Sequence, residues 1–382
     1  MTEVSRLAPR GVTDRQGSTR ILGIGEGHGP FAQSRVPHFL FRALEKRFSV
    51  YRLSYAPRGL RQLALAAATF RPSRPVWRAR FHTSRLAHRT LSKTLARRLA
   101  EVDQEFDLAL QVFGWVGGQP GPYALYADQT RLMAERGWPT WMPLTGRERS
   151  EVLALERDMY TDAFHVFVMG REATDSLIAD YGVDPSRITV VGGGANFEAL
   201  PTPHGPSPDP MILFVGKDFE RKGGDCLIEA FRRVRRELKD ATLHIVGVSD
   251  RFEVPGVITH GKIFNREQLD ELFRSARVFC LPSRYEPGGA LAVLDAMAHG
   301  LPCIGTTVQS TPHILDHGKA GLLVPPDDPT GLAAAALRVL TDDRLARTFG
   351  SAGRQRVEQE FTWDHVVERM APVLSQARSA ET

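Results

Sequence analysis

Cysteine is scarce in this chain, with three among 382 residues, at 226, 280 and 303. Their odd number and uneven spacing exclude a disulfide framework and fit no zinc motif, so a reducing, cytoplasmic setting is expected. Long apolar runs are missing as well. No window approaches the roughly 18 apolar residues of a membrane span, and the N-terminal stretch has no apolar core of a signal peptide. The expectation is a soluble or membrane-peripheral protein. Lysine is rare beside arginine, 7 against 42. That bias weakens any argument from the choice of arginine at one position.

Acidic residues are absent between Lys46 and Ala100, where 14 lysines and arginines fall; the rest carries 35 bases against 44 acids, a balance of −9. The net charge of +5 therefore hides a concentrated cationic block. Within it, Leu86, Leu91, Leu95 and Leu99 approximate one helical face, preceded by the aromatic and basic run from Pro75 to Phe81. A basic amphipathic helix suits an anionic membrane surface along residues 46–100. It equally suits an acidic acceptor, or a solvated helix docked on its leucines. Nucleic acid is not expected as a partner, because no reading motif accompanies the block and the acidic remainder repels a polyanion.

The informative segments lie in the second half. Residues 281–302 read LPSRYEPGGALAVLDAMAHGLP. A β-prone stretch ends there, Glu286 falls in a turn, and Gly288 and Gly289 open an apolar helix. Free amides at a helix start receive an anion, glycines let phosphate oxygens approach, and a carboxylate one turn away accepts bonds from sugar hydroxyls. Residues 211–225, MILFVGKDFERKGGD, repeat the strand, glycine turn and helix pattern, with Lys217 and Lys222 on the loop. In an open α/β sheet, ligands collect at the carboxyl ends of strands, so the two loops can share one pocket for a sugar nucleotide. The plainer alternatives are a tight turn with a solvated acid, and surface lysines.

Together these loops resemble the C-terminal half of the retaining glycosyltransferases of family four (glycosyltransferase group 1). The likeness extends to 242–247, to Gly261 and Lys262, to the glycine turn at 318–325, to FTWD at 361–364, and to 166–172, 181–191 and 192–196 in the first half. It implies an α/β chain of the GT-B fold, two facing Rossmann-like doubly wound domains with a cleft between them. The expected division is a flexible N-terminus (1–18), an acceptor-binding domain (19–200), a hinge rich in proline (201–210), a nucleotide-sugar-binding domain (211–360) and a closing helix (361–382) packed back toward the first domain.

By that resemblance Lys217 and Lys222 hold the donor diphosphate, Glu286 the transferred sugar, and Gly216, Pro287, Gly288, Gly289 and Ala290 line the donor loop, with Gly261 and Lys262 near the base. The family's second Glu falls at Leu294 by spacing. Asp295 is one residue later in a Glu-Ala-Met-like context, and is read as the ribose ligand after a one-residue insertion; the alternative is a helix-solvating acid. Asp-x-Asp occurs nowhere in the sequence, so no metal and no cofactor are expected, and lysines with a helix terminus replace a cation at the diphosphate. In the first half, ILGIGEGHGPF at 21–31 resembles the family's first loop, giving Gly25 and Gly27 as donor contacts and His28 as a catalytic base or sugar ligand, the alternative being an incidental histidine in a glycine loop. Asp128 stands where many members place a His and is the candidate polar group near the reacting centre. His313 replaces a frequent Glu and is given no role. The implied partners are a nucleotide-sugar donor and an acceptor the sequence does not name. The alternatives are a non-catalytic GT-B relative or another GT-B enzyme, such as a sugar-nucleotide epimerase or a phosphorylase.

Overall fold

A computed structural model describes residues 18–25 and 35–377, apart from 55, 57, 58, 115, 118, 120 and 251. The chain builds two six-stranded sheets in which every strand pair is parallel. The first contains β1 (Arg20–Gly25), β2 (Ser49–Leu53), β3 (Leu108–Val112), β4 (Tyr123–Ala127), β5 (His165–Val168) and β6 (Ile188–Val190), in the order β2-β1-β3-β4-β5-β6. The second contains β7 (Met211–Val215), β8 (Thr242–Val246), β9 (Val257–Thr259), β10 (Val278–Leu281), β11 (Cys303–Thr306) and β12 (Leu322–Val324), in the order β12-β11-β10-β7-β8-β9. Strands such as LALQV and MILFV are apolar nearly throughout because helices cover both faces of a parallel sheet.

Strand order decides where ligands can sit. In the first sheet the winding reverses between β1 and β3, and in the second between β7 and β10. At such a point neighbouring loops leave the sheet in opposite directions and open a crevice at the carboxyl ends of the strands. The loops after β7 and β10 are those singled out from the sequence. Helix Leu291–Ala298, which follows the second, is buried from Val293 to Ala298, so its start is held by the packing of the whole helix.

The last helix, Trp363–Gln376, returns to the first sheet. Its Trp363, Val366, Val367, Met370 and Leu374 share one core with Ile21, Phe41, Leu108 and Tyr126. Arg369 donates to the carbonyl of Val191 at 2.8 Å. Ion pairs Lys46–Asp364 (2.7 Å) and Arg47–Glu368 (3.2 Å) decorate this contact but are exposed, and are worth a few tenths of a kcal/mol. The chain therefore crosses between the sheets twice, through 191–210 and before Trp363.

The basic block contains β2 and then three helices, Leu60–Ala68, Arg74–Thr83 and Arg85–Leu99. The leucine face expected on the third needs correction. Leu91 and Leu95 are buried and Leu99 half-buried, but Leu86 is 46% exposed. Five residues separate Leu86 from Leu91, a rotation of about 140° away from the stripe, and Ala87 takes the inward place.

Candidate active site between the two sheets

Backbone shape brings the loops after β7 and β10 into contact. Gly223 has φ +69°, and a Cβ there would stand 1.9 Å from the carbonyl oxygen of Pro282. Only glycine allows both the left-handed turn and this approach. It starts helix Gly224–Glu237 directly against the start of the second loop.

That approach joins Lys222 to Glu286. The Lys222 Nζ lies 3.1 Å from Oε2 and 3.3 Å from Oε1 of Glu286. Ser283 donates its hydroxyl to the same Oε2 at 2.8 Å, and the Glu286 amide donates to Gln309 Oε1 at 2.8 Å. Arg221 stands 3.5 Å from the carboxylate. Burial pushes the Glu286 carboxyl up, but the charges of Lys222 and Arg221 and the bonds from Ser283 and Lys222 outweigh it and leave it below its ordinary value. Glu286 is thus held as an anion with only 7% of its surface exposed. No side chain caps helix Leu291–Ala298, whose N-cap Ala290 is left-handed at φ +38°. Its first amides remain available to an anion.

The first sheet closes the other side. Gly288 has φ +73°, and a Cβ there would meet the Cβ of Asp128 at 2.7 Å and Sδ of Met169 at 2.8 Å. Asp128, just past β4, is half-buried, and removal from water raises its carboxyl to about 6, against the opposing pull of its own and Gln129's amides and of Arg221. Tyr285 donates its hydroxyl to Gln129 Oε1 at 2.8 Å, and its ring meets that of Trp141 edge-on at 6.1 Å. The Arg221 guanidinium lies 4.7 Å from the centre of the Trp141 ring, donates to the Tyr285 carbonyl, and bonds Asp218 at 3.2 Å. A pocket on the first-sheet side, lined wholly by residues of that half, includes Tyr126, Asp128, Gln129, Trp141 and Tyr160.

The structure therefore brings together Lys222, Glu286, Gly288, Gly289 and Asp128. Gly216 follows β7 beneath the stem of Lys222, and Lys217 is exposed beyond it. Gly261 receives the Gly247 amide at 2.7 Å, which sets its loop beside the turn after β8; Lys262 is exposed there. Pro287 is half-buried between Glu286 and the glycine pair. Asp295 sits deeper. Its Oδ1 accepts the Asn196 amide at 2.8 Å and its Oδ2 an Arg266 Nη1–H at 3.3 Å, while burial raises its carboxyl against the charge of Arg266. Arg266 in turn lies over the Phe197 ring at 3.9 Å. Gly25 ends β1 buried against Pro37 and Phe41. Gly27 and His28 lie outside the described residues. His313 is exposed.

Arg221, Ser283, Tyr285, Trp141 and Gln129 are absent from the sequence expectation. Arg221 had a signal, since it adjoins Lys222 in a loop read as cationic. Trp141 and Gln129 had none, because their partners lie some 80 to 156 positions away, as for Gln129 and Tyr285.

Comparison with known proteins agrees with this fold. Residues 209–342 match the model of the glycosyl transferases group 1 family. Among curated proteins, the chain is 28% identical over 221 residues to an MMP alpha-(1->4)-mannosyltransferase of Mycolicibacterium hassiacum, covering 55% of this chain and 53% of that protein. It is 31% identical over 221 residues to an alpha-maltose-1-phosphate synthase of Mycobacterium tuberculosis, covering 52% and 51%. The chain spans about half the length of these curated relatives. Among solved structures, a sucrose-phosphate synthase from Thermosynechococcus elongatus superposes with a TM-score of 0.67 at 20% identity, covering 95% of this chain and all of that one. HepE of Anabaena, solved with UDP-glucose, gives 0.66 at 14% identity, covering 94% and 99%. Residues 209–342 are thus similar to the glycosyl transferases group 1 family, and the two sheets together have the GT-B fold.

Proposed function

We propose that this protein is a glycosyltransferase that takes a sugar from a nucleotide-diphosphate sugar and passes it, with retention and without a metal, to an acceptor held from the first sheet. The observation that carries the reading is the Lys222–Glu286 pair at the β7/β10 crevice, a buried cation and anion joined across two loops that no crossover helix fills. The diphosphate lies against Lys222, Lys217 and the uncapped amides that follow Gly288 and Gly289. Glu286 accepts from the sugar hydroxyls, and Gly261 with Lys262 faces the base. Asp295 is assigned to the donor ribose, which requires it to share or release Arg266 or the Asn196 amide.

In the transfer, the bond from the anomeric carbon to the diphosphate oxygen breaks and the acceptor hydroxyl oxygen bonds to that carbon on the same face. The charge that develops on the leaving diphosphate is met by Lys222, Lys217 and the helix start, which stabilise it without reorganising. The acceptor's proton passes to Asp128 or to the departing phosphate oxygen. With a carboxyl raised to about 6, Asp128 is ionised at neutral pH yet basic enough to take a proton. Arg221, pinned by Trp141 and the Tyr285 carbonyl, keeps the two sides of the crevice in register.

The test is hydrolysis and transfer from a panel of nucleotide sugars by Glu286→Ala and Lys222→Ala beside the wild type. Both variants should fold and lose turnover, Lys222→Ala with weakened nucleoside diphosphate binding. Near-normal activity in both would place the site elsewhere, and a wild type that binds nucleotide sugar without transfer to any acceptor would make the chain a binding relative.

A further inference from the structure

Half of the large apolar side chains exposed among the described residues fall between 60 and 86: Leu60 at 85%, Leu63 at 66%, Phe70 at 55% and Leu86 at 46%. They coincide with the block that has no acid. Helix Leu60–Ala68 buries only Leu65, while Leu60, Leu63, Ala64 and Ala67 recur at helical spacing on its exposed side. It is fixed in place, since Trp77 Nε1 donates to the Ala66 carbonyl at 2.9 Å and the Phe70 and Trp77 rings meet at 5.5 Å.

Beside it, helix Arg85–Leu99 exposes Arg85, Arg89, Lys93 and Arg97, one cation every four residues. Like charges at that spacing repel and destabilise a helix. None of the four forms an ion pair with another described residue. The nearby Glu148, from helix Gly146–Asp162, is taken up by Arg71 and Arg80. A row of unpaired cations next to an outward apolar stripe is unfavourable in water on both counts, and both features are satisfied by one surface.

We infer that the layer formed by helices Leu60–Ala68 and Arg85–Leu99 docks on an anionic lipid bilayer, the leucines and Phe70 entering the headgroup boundary and the four cations meeting lipid phosphates. A nucleic acid would satisfy the cations but leave the apolar stripe in water. Binding is peripheral, since no helix among the described residues is long and apolar enough to cross a membrane. The inference stands independently of sugar transfer.

The experiment is cosedimentation of the full chain with vesicles of phosphatidylcholine alone and of roughly three parts phosphatidylcholine to one of phosphatidylglycerol. Binding is expected to the anionic vesicles only. The variant R85Q/R89Q/K93Q/R97Q should lose roughly 600-fold in partition coefficient at low salt, at about fivefold per charge. The variant L60Q/L63Q should retain low-salt binding but lose what persists at high salt. Because all six side chains are exposed, both variants should keep the wild-type circular dichroism and nucleotide binding. Equal binding to neutral vesicles, no binding by the wild type, or tighter retention on a single-stranded oligonucleotide than on anionic vesicles would overturn the inference.

Discussion

Gly288 and Asp128 come from different sheets, and a single added carbon on the glycine would stand 2.7 Å from the Cβ of the aspartate. The start of helix Leu291–Ala298 is thus fitted against the end of β4, and the candidate base is placed by the same contact that shapes the glycine loop. Gly288→Ala is expected to cost about 1–2 kcal/mol for the left-handed backbone, and further for the displaced Asp128. Calorimetric melting should show the loss, with a larger relative loss in turnover than in nucleotide affinity. An alanine variant of unchanged turnover would separate Asp128 from the chemistry.

Lys222 and Glu286 are both nearly enclosed, with side chains 13% and 9% exposed. Removing one partner leaves a buried charge, a loss of about 3–5 kcal/mol in comparable pairs. Lys222→Met should approach the lower end, because Arg221 remains 3.5 Å from the carboxylate. The double variant Lys222→Met/Glu286→Gln should recover part of the stability while remaining inactive. Urea unfolding of the wild type, Lys222→Met, Glu286→Gln and the double variant checks the sign of the coupling; strict additivity would contradict it.

Asp128 has a carboxyl raised to about 6 by burial. Below that pH it is protonated and cannot accept a proton, so turnover should rise as pH climbs through about 6 and then level. Asp128→Asn should be slower by roughly 10²–10⁴-fold and lack this limb. The same limb in the variant would assign it to another group.

The two loops of the candidate site were legible in the sequence because their signals are local. Lys217, Lys222, Glu286, Gly288 and Gly289 sit within two short segments, each with its own strand, glycine turn and helix start. What joins them to the first sheet was not legible. Asp295 meets the Asn196 amide and Tyr285 meets Gln129 through folding of distant segments, and no local pattern marks such pairs. Leu86 shows the opposite error, in which a leucine was counted into a stripe although five residues do not complete a helical repeat. The loop with Gly27 and His28 was the least legible, since it signals only through glycines.

Glu156 is fully buried, accepts the Arg131 amide at 3.1 Å and the Tyr181 hydroxyl, and burial lifts its carboxyl to about 7 against the nearby Arg131 charge. The folded value lies above the ordinary 4.5, so the folded state binds the proton more tightly. Stability from this group is full below about 4.5 and is lost as pH rises to about 7. Glu156→Gln, which stays neutral, should melt higher than the wild type at pH 8 and alike at pH 4. A variant less stable at pH 8 would show that the ionised form is the one the fold favours.

The most direct test is calorimetric titration of the purified full chain with UDP, GDP, TDP and ADP and their common sugar conjugates, wild type beside Lys222→Ala. Binding of one nucleoside diphosphate and its sugar conjugate by the wild type, weakened at least about tenfold, or 1.4 kcal/mol, in the variant, is the predicted result. Binding of equal strength in both proteins, or of none of these ligands by the wild type, would contradict a donor site built on the Lys222–Glu286 pair.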